Sequence, residues 1–341
     1  MADATVNAVR YATGLGGRSI AYVSRGSGPA LVIVPHVQMS HLQREMEIDA
    51  YRQFCTIVGR RRRLLRFDGW GSGLSEDDSA SFTIDSLADD LGLLLDSLGV
   101  DQAALYGQIT GALPAIAVAA TCPGRVSHLV LWNGFARHQE HGANPRMRAL
   151  FAMASSDWEL FTESISQAAM GWRDAPAAQQ WAAVVRSSTT PQRFARYLEA
   201  RRTWDVSGLL GQVKAPTLVL HDRENALASE ERCRELAEGI ANAQFVQASS
   251  SAGMPDVEAA MLIDRFLRDR DVEVPAAAPL SSRELEVLRE VSTGATNAAV
   301  ARRLSISVNT VVRHLTHIYT KTGTTNRVEA VRLAERQGLI D

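Results

Sequence analysis

Over its first 270 residues the chain alternates short apolar runs with stretches of helical periodicity. The runs Ser19–Ser24, Ala30–Pro35, Arg63–Asp68, Ala103–Gly107, His128–Asn133, Pro216–His221 and Ala243–Ala248 have the length of strands. Most are continuously apolar, the pattern of strands covered on both faces. Between them, Thr83–Leu98 places Ile84, Leu87, Leu91, Leu94, Leu95 and Leu98 on one stripe, with Asp85, Asp89, Asp90 and Asp96 mostly opposite. That is an amphipathic helix. Alternating strands and helices predict an α/β fold with a doubly wound, mostly parallel sheet. The rhythm breaks between about 143 and 206, which reads as several helices without a strand. This stretch holds Trp158, Trp172, Trp181 and Trp204, four of the six tryptophans. A helical cap over the C-terminal edge of the sheet would roof a pocket there. Most of these rings are expected to pack the cap's own core, with one or two facing the pocket.

A second pattern starts at Leu280, after a linker over 271–279 that contains Pro275 and Pro279. Ser281 or Ser282 caps a helix starting near Arg283 and ending at Gly294. Thr296 caps a short helix, Asn297–Leu304. Ile306 and Ser307 make a tight turn. A third helix spans about Val308–Thr322 and a fourth about Asn326–Gln337. Two short helices joined by a tight turn, the second polar on its outer face, form a small all-α helix-turn-helix domain. The predicted organisation is therefore a large domain over 1–270, a linker over 271–279 and a DNA-binding domain over 280–341.

Charge sharpens this division. The segment Leu280–Asp341 holds nine Lys and Arg against six Asp and Glu. With a net charge of −2 for the whole chain, the remainder carries −5. An acidic body with a basic appendage points to a polyanionic partner for the appendage alone. The four-arginine run Arg60–Arg63 reads as a solvated helix C-terminus. No apolar run is long enough for a bilayer, and no basic-then-apolar leader opens the chain, so a cytoplasmic protein with no membrane partner is expected. Cys55, Cys122 and Cys233 are odd in number and widely spaced. Neither they nor His128, His138 and His141 show metal-ligand spacing, so free buried thiols, no metal and no cofactor are expected.

The C-terminal motifs are Leu280-x-x-Arg283-Glu284-x-Glu286-Val287-Leu288, Gly294-x-x-Asn297, Ala301-x-x-Leu304-x-Ile306-Ser307, Thr310-Val311-x-x-His314-Leu315-x-x-Ile318, Lys321-x-Gly323 and Arg327-x-Glu329-Ala330-Val331. They resemble the LuxR/NarL-type DNA-binding domain across the last 62 residues. The resemblance implies that the 308–322 helix enters the major groove of double-stranded DNA. Asn309, Arg313, His317 and Lys321 would then reach bases and phosphates, Ser307 and Thr310 the backbone, and His314 completes the implied set. Two positions depart from the family. Val312 stands where a basic residue is common, and Thr322 where leucine is.

The large domain resembles the α/β-hydrolase fold over roughly residues 5–270. The resemblance rests on Val34–Pro35–His36–Val37, on Phe67-Asp68-Gly69-Trp70-Gly71-Ser72-Gly73-Leu74-Ser75, on Gly107-Gln108-Ile109-Thr110-Gly111 and on Pro216–His221. In that family the turn Gly-x-Ser-x-Gly carries a nucleophile, a histidine takes its proton and an acid orients the histidine. Matched to those motifs, the three positions here are Ile109, Gly253 and Asn225. None supplies the chemistry, so no catalytic residue is expected. The turn at Ile109 is expected to relax from positive φ or to have its strain offset by packing. The inherited pocket would keep oxyanion-type backbone donors at Val37 and Thr110. His36, Gln38, Gln108, Trp132, Asn133 and Asn225 are further candidate ligand-binding groups.

Together these readings predict a transcriptional regulator whose non-catalytic hydrolase-like domain binds a small organic effector and acts as a homodimer. Two other readings stay open at this level. One is a hydrolase with a non-standard active site tethered to DNA. The other is a hydrolase-like domain serving dimerisation alone.

Overall fold

Eight strands form one sheet in the order β1-β2-β4-β3-β5-β6-β7-β8. They are β1 (Arg10–Thr13), β2 (Ser19–Arg25), β3 (Ala30–Val34), β4 (Arg63–Phe67), β5 (Ala103–Gln108), β6 (Val126–Trp132), β7 (Thr217–Asp222) and β8 (Ala243–Ala248). The computed structural model describes residues 8–69, 71–76, 82–138, 145–268 and 280–308, and after those 310–312, 314, 315, 318, 327, 330, 331, 334, 339 and 340. β2 runs antiparallel to β1 and β4, and the other neighbours are parallel. All seven predicted strands are present. β1 escaped the sequence reading because it is a four-residue edge strand in which only Ala12 is buried, so its apolar signal is one residue deep.

The central strands are buried along their length, β3 and β7 at every residue. Helices α1 (Asp49–Val58), α2 (Ile84–Ser97), α3 (Ala112–Thr121), α8 (Glu230–Gly239) and α9 (Val257–Phe266) complete the layers around the sheet. In α2 the Thr83 side chain accepts from Ser86 N–H, and the Ser86 hydroxyl accepts from Thr83 N–H, a reciprocal cap that sets the helix start. α3 is buried from Ala112 through Ala120, as a helix apolar all round must be.

Only half of the Arg60–Arg63 run is the solvated end the sequence suggests: Arg60 and Arg61 are exposed, Arg62 and Arg63 are not. Arg62 is buried; it donates to the helix-end carbonyl of Val58 at 3.0 Å and pairs with Asp264 on α9. Arg63 donates to Ser24 Oγ and to Leu98 O. The run ties α1 to the sheet and to α9.

Between β6 and β7 lie α4 (Pro145–Met153), α5 (Trp158–Ala169), α6 (Ala175–Ser188) and α7 (Pro191–Ala200), the helical insertion. Phe151, Trp158, Phe161, Phe194 and Tyr197 stack on one another with ring centroids 5.0–6.2 Å apart. Trp204 is buried and donates to Phe82 O at 2.7 Å, while Trp172 is 65% exposed. Three of the four tryptophans therefore serve packing or face solvent.

The chain divides into two compact units, 1–270 and 271–341. In the second, α10 (Ser282–Ser292) is opened by Ser281, whose hydroxyl accepts from Glu284 N–H while Glu284 accepts from Ser281 N–H. Thr296 caps α11 (Asn297–Arg303) by accepting from Ala299 N–H alone. Val287, Leu288, Val291, Val300, Ala301, Val311, Leu315, Ile318, Ala330 and Ala334 meet in a separate small core. Arg327 reaches back to the carbonyls of Val291 and Ala295. Among the described residues no helix is long and apolar enough to cross a membrane.

Candidate functional site

The turn after β5 sits at the centre of the large unit. Gly107 and Gly111 are there because nothing larger fits. A Cβ on Gly107 would lie 2.8 Å from Ala112 Cα, and one on Gly111 would lie 2.3 Å from Pro35 O. This close passage of backbone against backbone holds Ile109 at φ 51°. The turn has not relaxed. A β-branched residue in the left-handed region costs on the order of 1–3 kcal/mol, and Ile109 offsets part of it by packing against the main core. The hydrolase-type elbow is retained in geometry and altered in chemistry.

Ile109 borders a cavity of about 100 Å³, and so do Asn225 and Gly253. The three positions matched to the catalytic triad thus converge on one space. Asn225 there is engaged with its own loop: Oδ1 accepts from Leu227 and Ala228 N–H at 2.9 and 3.2 Å. Its neighbours Asp222 and Glu224 do not line the cavity. Asp222 Oδ1 accepts from Glu224 N–H, and burial pushes its carboxyl up to about 6. Glu224 pairs with Arg173.

Of the ligand-binding candidates, His36, Gln108, Ile109, Asn133 and Asn225 line the cavity, whereas Val37, Gln38, Thr110 and Trp132 do not. Each departure has a physical cause. The Val37 N–H donates to Thr110 Oγ1 at 3.1 Å in a buried contact, so one expected oxyanion donor is already taken by a neighbouring side chain. Gln38 is fully buried at φ 63°, and its Oε1 accepts from the Thr189 hydroxyl at 2.7 Å. Trp132, on the strand, is fully buried away from the cavity. Asn133, one residue later at φ 52°, does reach it.

Much of the rest of the lining comes from the cap, where the sequence reading expected one or two tryptophans and named no other residue. Met147, Phe151, Ile165, Met170, Trp181 and Arg201 all border the cavity. Trp181 is the one tryptophan of the four that does so; its Nε1 donates to Ala252 O at 2.7 Å. Arg201 is 2% exposed. In the sequence it stands beside Arg202 just past a helix, like any surface arginine. Glu45 also borders the cavity and is held by Arg66 at 3.0 Å; burial nevertheless pushes its carboxyl upward.

In the small unit, Ser307 caps the third helix: its Oγ accepts from Thr310 N–H at 3.0 Å and lies 2.7 Å from Thr310 Oγ1. His314 is half-buried. Val308 and Val312 are 45% and 46% exposed. Asn309, Arg313, His317 and Lys321 lie outside the described residues.

Residues 278–334 match the family model of bacterial regulatory proteins, luxR family. A 72-residue stretch is 39% identical to "Probable transcriptional regulatory protein NarL" of Mycobacterium tuberculosis, covering 21% of this chain and 33% of that one. The large unit is 26% identical over 193 residues to "Putative carbamate hydrolase RutD" of Pseudomonas savastanoi, covering 55% of this chain and 74% of the relative. Its fold is that of esterase RhEst1 from Rhodococcus, with a TM-score of 0.67 at 22% identity over 77% of this chain and 99% of that one. The chain carries a LuxR-type helix-turn-helix domain behind an α/β-hydrolase-like domain.

Proposed function

Because the chain joins a LuxR-type DNA-binding domain to an α/β-hydrolase-like one, we propose that it is a ligand-responsive transcriptional regulator whose large domain binds a small organic effector without hydrolysing it. The observation that carries this reading is the convergence of Ile109, Asn225 and Gly253 on one largely apolar cavity. An alkyl group, an amide and a bare backbone offer no nucleophile, no base and no acid at the three triad positions. The cavity is nonetheless retained, of the order that admits a single aromatic ring.

The effector acts by binding one conformational or associative state of the regulator better than another. A homodimer in the cytoplasm, contacting two half-sites, gains avidity from the pairing. On the DNA side, Ser307 and Thr310 start the recognition helix and contact the backbone, and Asn309, Arg313, His317 and Lys321 read bases and phosphates. The exposed Val308 and Val312 are suited to thymine methyl groups.

The test is binding of the purified chain to its own upstream DNA, titrated with small esters, lactones, aromatic acids and phenols. A compound that changes the affinity or the footprint and is recovered intact is the expected result. A compound consumed with turnover would overturn the non-catalytic part. That second reading has one observation in its favour: His36 and Ser166, an imidazole and a hydroxyl, both border the cavity. Turnover lost in S166A would establish it.

A further inference from the structure

Arg201 is a buried cation with no carboxylate partner among the described residues. Its guanidinium lies over the rings of Phe151 and Tyr197, with Cζ 4.2 and 4.8 Å from their centroids. Its one hydrogen bond among the described residues runs from Nη1 to Tyr197 Oη at 3.1 Å. Nε is buried with no acceptor, and no carboxylate pairs with the side chain among the described residues. The contrast with two other buried arginines is direct: Arg62 pairs with Asp264, and Arg66 with Glu45.

A guanidinium does not shed its proton inside a protein. An unpaired charge removed from water is costly, and ring faces and one hydroxyl offset only part of that cost. Arg201 also borders the cavity, together with Asn133, whose Nδ2 is a second buried donor without an acceptor. The carboxylate already at the cavity, Glu45, is committed to Arg66. Most of the remaining wall is thioether, alkyl and aromatic, with Met147, Ile165, Met170, Trp181 and Val185, beside the uncharged polar groups of Gln108, Ser166 and Asn225 and the imidazole of His36.

From this geometry we propose that the effector is a small apolar monocarboxylate, its body among the cap side chains and its carboxylate on Arg201. The inference rests on the reading of the cavity as an effector site. A carboxylate matches the guanidinium fork with paired, charge-assisted bonds. A single arginine in so small a space fits a monoanion better than a phosphate dianion.

The experiment measures binding to the full chain by calorimetry and by intrinsic tryptophan fluorescence, using isosteric pairs: phenylacetate against phenylacetamide, and octanoate against octanamide. The expected result is that the acids bind about ten- to hundred-fold more tightly than the amides. That preference should vanish in R201Q. Equal binding of acid and amide to the wild-type chain would overturn the carboxylate assignment and leave the effector cavity standing. A preference that survives in R201Q would overturn the role of Arg201. No saturable binding of any of the four probes would overturn both readings. The comparison on the wild-type chain needs no variant to fold.

Discussion

The thioether of Met170 lies against Gly253: a Cβ on that glycine would sit 2.7 Å from Met170 Cε and 3.3 Å from Sδ. Gly253 is also at φ 73°, a conformation that a histidine adopts only with strain. At the position matched to a catalytic base, a histidine would thus meet both an unfavourable backbone and the Met170 thioether. Restoring the triad residues alone should therefore fail. The triple variant I109S/N225D/G253H should hydrolyse p-nitrophenyl acetate within about two-fold of the wild-type rate. Adding M170A should raise the rate at least about ten-fold, since a positioned general base contributes on the order of 10²–10⁴. Full activity with Met170 intact would sink this account.

Gly111 is held between α3 and the loop after β3, where a side chain would meet Pro35 O at 2.3 Å and Val34 O at 2.5 Å. Both are backbone atoms, so neither can swing aside. G111A should destabilise the large unit by about 3 kcal/mol in urea denaturation. G69A, with nothing within 4 Å among the described residues, should stay within about 0.5 kcal/mol of wild type.

Asp90 on α2 is buried; Oδ1 accepts from Leu15 N–H at 3.0 Å, and Oδ2 has no partner. Burial pushes its carboxyl up to about 7. The folded chain then keeps this proton between about pH 4 and pH 7 where the unfolded chain has released it. Stability contributed here is complete below the unfolded value and falls as pH rises through the folded one, by at most about 4 kcal/mol. D90N should flatten that part of the stability profile, as followed by denaturation midpoints from pH 4 to pH 8. An unchanged slope would show that Asp90 is ionised when folded.

Ser307 caps the recognition helix through Thr310 N–H. S307A should cost about 1 kcal/mol of stability in the small unit. It should also weaken binding to specific and non-specific DNA by similar factors, because a cap positions the helix and reads no base. Fluorescence anisotropy on both DNAs checks this. A loss confined to the specific site would instead make Ser307 a base contact.

Much of the molecule is determined locally and was legible in the amino-acid order. Continuous apolar runs mark β3, β5 and β7 because those strands are covered on both faces. The caps at Thr83, Ser281 and Thr296 act over three residues, so their signal is entirely within reach of the chain itself. The chemical emptiness of Ile109, Asn225 and Gly253 follows from residue identity alone. What only the tertiary structure decided lies between distant segments. Val37 is capped by Thr110, 73 residues away. Met170 from the cap fills the space at Gly253. Arg62, in a run that reads as solvated, is buried against Asp264, 202 residues on. Arg201, indistinguishable in the sequence from its exposed neighbour Arg202, is enclosed by Phe151 and Tyr197. Periodicity and capping are short-range properties, whereas burial of a charge and occupation of a donor depend on which surfaces meet when the chain closes on itself.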